Sequence, residues 1–122
     1  MLEKGTPQER ASYLAILRAG LHGVVSARGG SATSYFKGAQ SLIQNGDEWR
    51  LFGKTGTATI TKRYNTVWFS GWIEGNQGSG ITKRLAFVCQ AIQQPSGQKM
   101  TGGRICAPLI RDILLRLDQK RS

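Results

Sequence analysis

A chain of 122 residues holds one small domain rather than two, and at that size it can bury a modest core without staples. Apolar residues make up 39%, glycines number 16, and no run of about 18 apolar residues occurs, which excludes a membrane-spanning helix and favours a turn-rich, sheet-containing fold over a helical bundle. The net charge of +10, from 17 Lys+Arg against 7 Asp+Glu, attracts polyanions: nucleic acid, an anionic membrane surface or an acidic cell-wall polymer.

In chain order, the first signal is a helix start. Thr6-Pro7-Gln8-Glu9 offers a threonine N-cap, a proline at the first helical position and a glutamate at the third, the pattern of a capping box. Leu14, Leu17, Leu21, Val24 and Val25 recur at helical spacing and predict one apolar face. Gly29-Gly30 should end the helix. A loop follows in which Asn45-Gly46 reads as a tight turn.

Three strands are expected next: Trp49 to Thr59, β-rich though interrupted by Gly53 and Gly56; Thr66 to Glu74, dense in β-branched and aromatic residues; and Arg84 to Gln93, an apolar run bounded by turn residues, as a central strand would be. The glycine-rich link from Gly75 to Gly80 predicts an antiparallel hairpin between the last two. A second helix should begin after Gly102-Gly103, with Pro108 tolerable in its first turn. Ile105, Leu109, Ile110, Ile113, Leu114 and Leu117 supply its apolar stripe, and basic residues gather at its C-terminal end. The expected fold is therefore α+β: an antiparallel sheet covered by an N-terminal and a C-terminal helix, without an internal repeat or linker.

The stretch "WRLFGKTGTATI" carries the chemistry. A phosphate-binding loop needs a glycine five residues before the Gly of Gly-Lys-Thr, and that position is Glu48. Such a loop must also open a helix, whereas "TATITK" is strand-like. Lys54-Thr55-Gly56-Thr57 on a strand makes better sense of each residue type. Alternate side chains share a face, so Thr55 and Thr57 can address one ligand. Hydroxyls beside a lysine suit a carboxylate, Gly56 lets a substrate backbone lie close, and a backbone N–H of the strand can stabilise an oxyanion.

The surroundings extend the signal. "LFGKTGTA", then "WFSGWIEG", an apolar strand and "GGRICAPLIRDILLRL" resemble the C-terminal part of a penicillin-binding protein transpeptidase domain, and "LRAGLHGVVSARGGSATSYF" resembles the helix and loop before its Lys-Thr-Gly strand. The resemblance runs from about Thr6 to Leu117. It implies a β-lactamase/transpeptidase-like fold of which residues 1–122 are a single partial domain, the three strands belonging to a five-stranded antiparallel sheet.

It further implies acylation of a serine by a D-alanyl-D-alanine peptide or a β-lactam during peptidoglycan cross-linking, at the extracytoplasmic face of the cell membrane. Lys54 and Thr57 would then be catalytic, with Thr55, Gly56 and Thr57 binding the substrate and the Thr57 N–H serving an oxyanion hole. The implied partners are peptidoglycan stem peptides, β-lactams and the missing upstream part of the domain. No metal or other cofactor is expected.

The family's Ser-x-Asn motif is absent from the sequence. A Ser-x-x-Lys occurs at Ser34-Tyr35-Phe36-Lys37, but it falls in the stretch that matches the glycine-serine-alanine loop. It reads as a surface pair with Phe36 packed inward. The chain thus looks like one wall of an active site without its nucleophile. A class D-type β-lactamase or β-lactam sensor is the sibling reading; "GGRICAPLIRDIL" favours the transpeptidase.

A small basic nucleic-acid-binding module, or a non-catalytic partner-binding piece, is the rival. The basic residues are dispersed, with only pairs at Lys62-Arg63, Lys83-Arg84 and Lys120-Arg121, so nucleic acid is not expected as a partner. The N-terminus has no signal-peptide core, so the chain reads as soluble and any export depends on a segment outside it.

The remaining residues receive structural expectations. His22 is assigned a packing role, and Trp68, Phe69 and Trp72 are assigned to the core. Cys89 and Cys106 are expected to be buried free thiols. Asp112 and Asp118 are expected to pair with arginines on a solvated face. A three-stranded sheet lacking its neighbours should expose an edge that invites self-association.

Overall fold

The computed structural model describes residues 5–60, 64–93 and 102–119. Helix α1 spans Pro7–Ser26 and begins as its sequence requires. The Thr6 hydroxyl accepts from the Glu9 N–H at 3.1 Å and donates to the Glu9 carboxylate at 3.2 Å. Its end is sealed by the Ala27 N–H, which bonds the Gly23 carbonyl. Gly29 then adopts φ +84°, a left-handed conformation open to glycine, and turns the chain back.

A 3-10 turn, Thr33–Phe36, and a single-turn helix α2, Gln40–Ile43, follow. They lead into a two-residue hairpin, β1 (Gln44–Asn45) against β2 (Glu48–Trp49), closed at Gly46 with φ +59°. The turn expected at Asn45-Gly46 is there. Trp49, expected in the first long strand, belongs to this hairpin instead.

Three nine-residue strands form the sheet in the order β3 (Leu51–Thr59), β4 (Asn65–Ile73), β5 (Leu85–Gln93), antiparallel throughout. The register pairs Thr55 with Phe69 and Phe69 with Cys89. Helix α3, Gly102–Leu117, returns across the face that carries Leu51, Phe69 and Ile73. Its Cys106, Ala107, Ile110 and Leu114 interlock there with Val25 from α1, Phe36 from the 3-10 turn, and Leu42 and Ile43 from α2. Each fully buried aliphatic or aromatic side chain contributes about 1.5–3 kcal/mol. Pro108 lies at the seventh residue of α3 rather than in its first turn; the helix accepts the loss of one ladder N–H because its buried stripe holds it to the sheet.

Four other expectations are corrected. Cys89 and Cys106 form a disulfide that joins β5 to α3, their Cα atoms 5.6 Å apart. Asp118 is no solvated partner: its carboxylate is gripped by Arg50, whose side chain is 4% exposed. Asp112 does pair on the surface, with Arg111. The stripe on α1 buries only its C-terminal end, at Val25 beside His22, while Leu14 and Leu17 stay about half exposed and Tyr13 and Ile16 join them. Of the three aromatics, Phe69 is in the core, Trp72 is half-buried and stacks on Phe52 at 4.6 Å, and Trp68 is exposed on the opposite sheet face. Strand alternation sets Phe69 apart from Trp68 and Trp72, which share the face opposite α3.

Candidate functional site

The position of β3 gives the Lys-Thr-Gly stretch its surroundings. On one side β3 pairs with β4; along the other it meets α1. Which backbone groups face that second edge follows from their partners. The Leu51 carbonyl lies 2.9 Å from Nδ1 of His22, and the Thr55 carbonyl accepts from the Lys54 ammonium at 2.8 Å. The Arg50 carbonyl instead accepts from the Glu74 N–H on the β4 side, at 2.8 Å. Odd-numbered residues of β3 therefore turn their N–H and C=O groups away from β4, and the Thr57 N–H shares that direction.

His22 accordingly has the packing role its surroundings suggest. Its ring is buried and stacks on Trp49 at 4.5 Å, and because a carbonyl can only accept, Nδ1 carries the proton. The helix–strand junction is reinforced by Arg18, which lies 4.4 Å from the centre of the Phe52 ring and donates to Glu74 at 2.7 Å. The Arg18 guanidinium, with help from the Trp72 N–H and from Arg84, holds the Glu74 carboxyl below the usual carboxylate range, against the opposing effect of burial.

Among the sequence-predicted site residues, Thr55 and Thr57 share the face turned toward α3, Thr55 half-buried and Thr57 exposed. Lys54 and Gly56 belong to the other face, and the Lys54 ammonium curls back to the strand edge. The two glycines of this strand differ in what they admit. A Cβ at Gly53 would stand 2.6 Å from the Phe69 ring, so that glycine is required by the core. A Cβ at Gly56 would meet only the Trp68 Cβ, at 3.9 Å, so nothing inside the chain demands a glycine there. Gly53-Lys54-Thr55 sits mid-strand, which removes the backbone nest a phosphate loop needs.

One contact was not foreseen from sequence. The Ser31 hydroxyl, on the loop after α1, lies 2.6 Å from the Thr55 hydroxyl. The α3 N-terminal turn closes on the same place: a Cβ at Gly103 would be 2.5 Å from the Ser31 carbonyl and 3.7 Å from the Thr55 methyl. Twenty-four residues separate Ser31 from Thr55, and no local pattern announces such a pair. Ser34 and Lys37 are both exposed on the turn that buries Phe36. A second Ser-x-x-Lys, Ser96 to Lys99, lies outside the described residues. No group of His, Cys, Asp and Glu that could hold a metal ion occurs among the described residues.

Helices packed on an antiparallel three-stranded sheet, with β3 paired on one side only among the described residues, are consistent with the transpeptidase/β-lactamase-like fold that the sequence resembles. The family comparison agrees: the penicillin-binding protein transpeptidase domain matches residues 4–115. The chain belongs to that family. No curated protein and no solved structure gives a significant match.

Proposed function

We propose that the chain is the C-terminal portion of a D-alanyl-D-alanine transpeptidase domain for peptidoglycan cross-linking, and that β3 is its substrate-carboxylate and oxyanion wall. The observation that carries this reading is the edge of β3. Thr55 and Thr57 present hydroxyls on one face, the Thr57 N–H is directed away from β4, and Gly56 leaves room for a ligand backbone. In this role the Thr55 and Thr57 hydroxyls bind the terminal carboxylate of a stem peptide or β-lactam. The Thr57 N–H stabilises the oxyanion that develops when a serine attacks. The Lys54 ammonium supplies positive charge beside the carboxylate and assists proton transfer.

The serine itself is assigned to an upstream part of the domain, since the chain carries no Ser-x-Asn and its described Ser-x-x-Lys lies on an exposed turn. Two surfaces support such a partner. Trp68, Val88 and Ile92 share the sheet face opposite α3, with Val88 65% exposed, and β5 has a strand on one side only among the described residues. The disulfide supports an oxidising, extracytoplasmic location. No described helix is long and apolar enough to cross a membrane.

The test is a titration of the isotope-labelled chain with N-acetyl-D-alanyl-D-alanine and with its C-terminal amide, following the backbone amides of Thr55 to Thr57. Charge-assisted hydrogen bonds to a carboxylate should favour the acid over the amide by about tenfold. Equal affinity for the two, or shifts elsewhere in the chain only, would refute the carboxylate wall.

A further inference from the structure

We propose that Ser31 is a positioning residue that aims the Thr55 hydroxyl at an incoming carboxylate. This role rests on β3 being the carboxylate wall. At 2.6 Å the two oxygens are at the short end of the hydroxyl–hydroxyl range. Two hydroxyls hold two protons between them, and their mutual bond uses one. When Ser31 donates, the Thr55 proton is left to point at a ligand and is polarised by the bond it accepts. When Thr55 donates, its proton is spent on Ser31. An anion arriving at Thr55 selects the first arrangement.

Ser31 is well held for this. The Gly30 N–H bonds the Ala27 carbonyl, and the Ala32 N–H bonds the Val24 carbonyl at 2.9 Å with Ala32 fully buried. The Thr33 hydroxyl donates to the Ala27 carbonyl at 2.7 Å, and Gly103 of α3 closes over the Ser31 carbonyl. The backbone is thus fixed on both sides while the side chain remains exposed. Water would satisfy an exposed serine hydroxyl, and among the described residues the Ser31 side chain bonds no buried backbone group. Its partner is the hydroxyl of the triplet's own threonine, so the fixed geometry serves that threonine rather than the fold.

The same titration decides the matter, using the full chain. Ser31→Ala should weaken binding of N-acetyl-D-alanyl-D-alanine about fivefold to tenfold, the effect of one hydrogen bond to a charged group, with affinity for the amide unchanged. Ser31→Thr, which keeps the hydroxyl, should restore the acid preference. Undiminished acid binding by Ser31→Ala, an equal loss for acid and amide, or failure of Ser31→Thr to restore the preference would each overturn the role. If the unsubstituted chain does not prefer the acid, the carboxylate wall falls first and the role of Ser31 with it.

Discussion

Replacing Arg50 by leucine should destabilise the chain far more than any surface charge change. Its guanidinium donates to Asp118 twice, at 2.9 and 3.1 Å, to the Ser41 carbonyl at 2.6 Å and to the Glu74 carbonyl at 3.1 Å. The arginine side chain is 4% exposed and the carboxylate 11%, so water cannot replace what is lost. Removing one partner of such a pair leaves an uncompensated buried charge, at a cost of about 3–5 kcal/mol.

Against a total stability of about 5–15 kcal/mol for a domain, that is a large share. Urea denaturation followed by tryptophan fluorescence should show the midpoint falling steeply with little change in slope. Asp118→Leu alone should behave similarly. The double variant should recover much of the loss, because it leaves no orphaned charge. A loss below about 1 kcal/mol for Arg50→Leu, the value of an exposed pair, would refute the claim that this contact anchors the end of α3 to the sheet.

Three further outcomes are expected. Reduction of the Cys89–Cys106 bond, which spans 17 residues of sequence, should lower stability by about 2–4 kcal/mol, measured by urea denaturation with and without reductant; equal midpoints would count against the bond. The lowered pKa of Glu74 means that its carboxylate contributes stability above its unfolded value of 4.5, and that this contribution is lost as pH falls through the lower folded value. Thermal melts of Glu74→Gln should therefore lack part of the acid-side decline of the parent chain; superimposable pH profiles would contradict the pairing with Arg18. The uncovered face of Trp68, Val88 and Ile92 together with the β5 edge should make the chain self-associate, and a clean monomer by light scattering over a wide concentration range would refute this.

Much of the fold is readable from sequence because its signals are local. Thr6 and Pro7 start α1, Asn45-Gly46 makes a turn, and the β-branched and aromatic run and the apolar run after it become β4 and β5 within a residue or two of their expected limits. The Lys-Thr-Gly strand is readable for the same reason: a phosphate loop fails on spacing alone. What escaped sequence reading is tertiary. The apolar stripe of α1 shows that a face wants cover, not that the cover lies in the same chain, and Leu14 and Leu17 are left half exposed.

Cys89 and Cys106 sit on separate elements, and only the return of α3 over β5 makes them neighbours. Asp118 looks like any polar residue at a helix end until Arg50 is found buried beneath it. Within the candidate site, the same limit hides Ser31, whose link to Thr55 exists only because the loop after α1 folds under the strand edge.

The most direct test of the central claim, that this chain supplies the wall of a serine acyl-transfer site and not its nucleophile, is its intact mass after incubation with benzylpenicillin. The account predicts an unchanged mass. A covalent adduct mapped to Ser34 or Ser96 would contradict it and make the chain a self-sufficient acyl-enzyme.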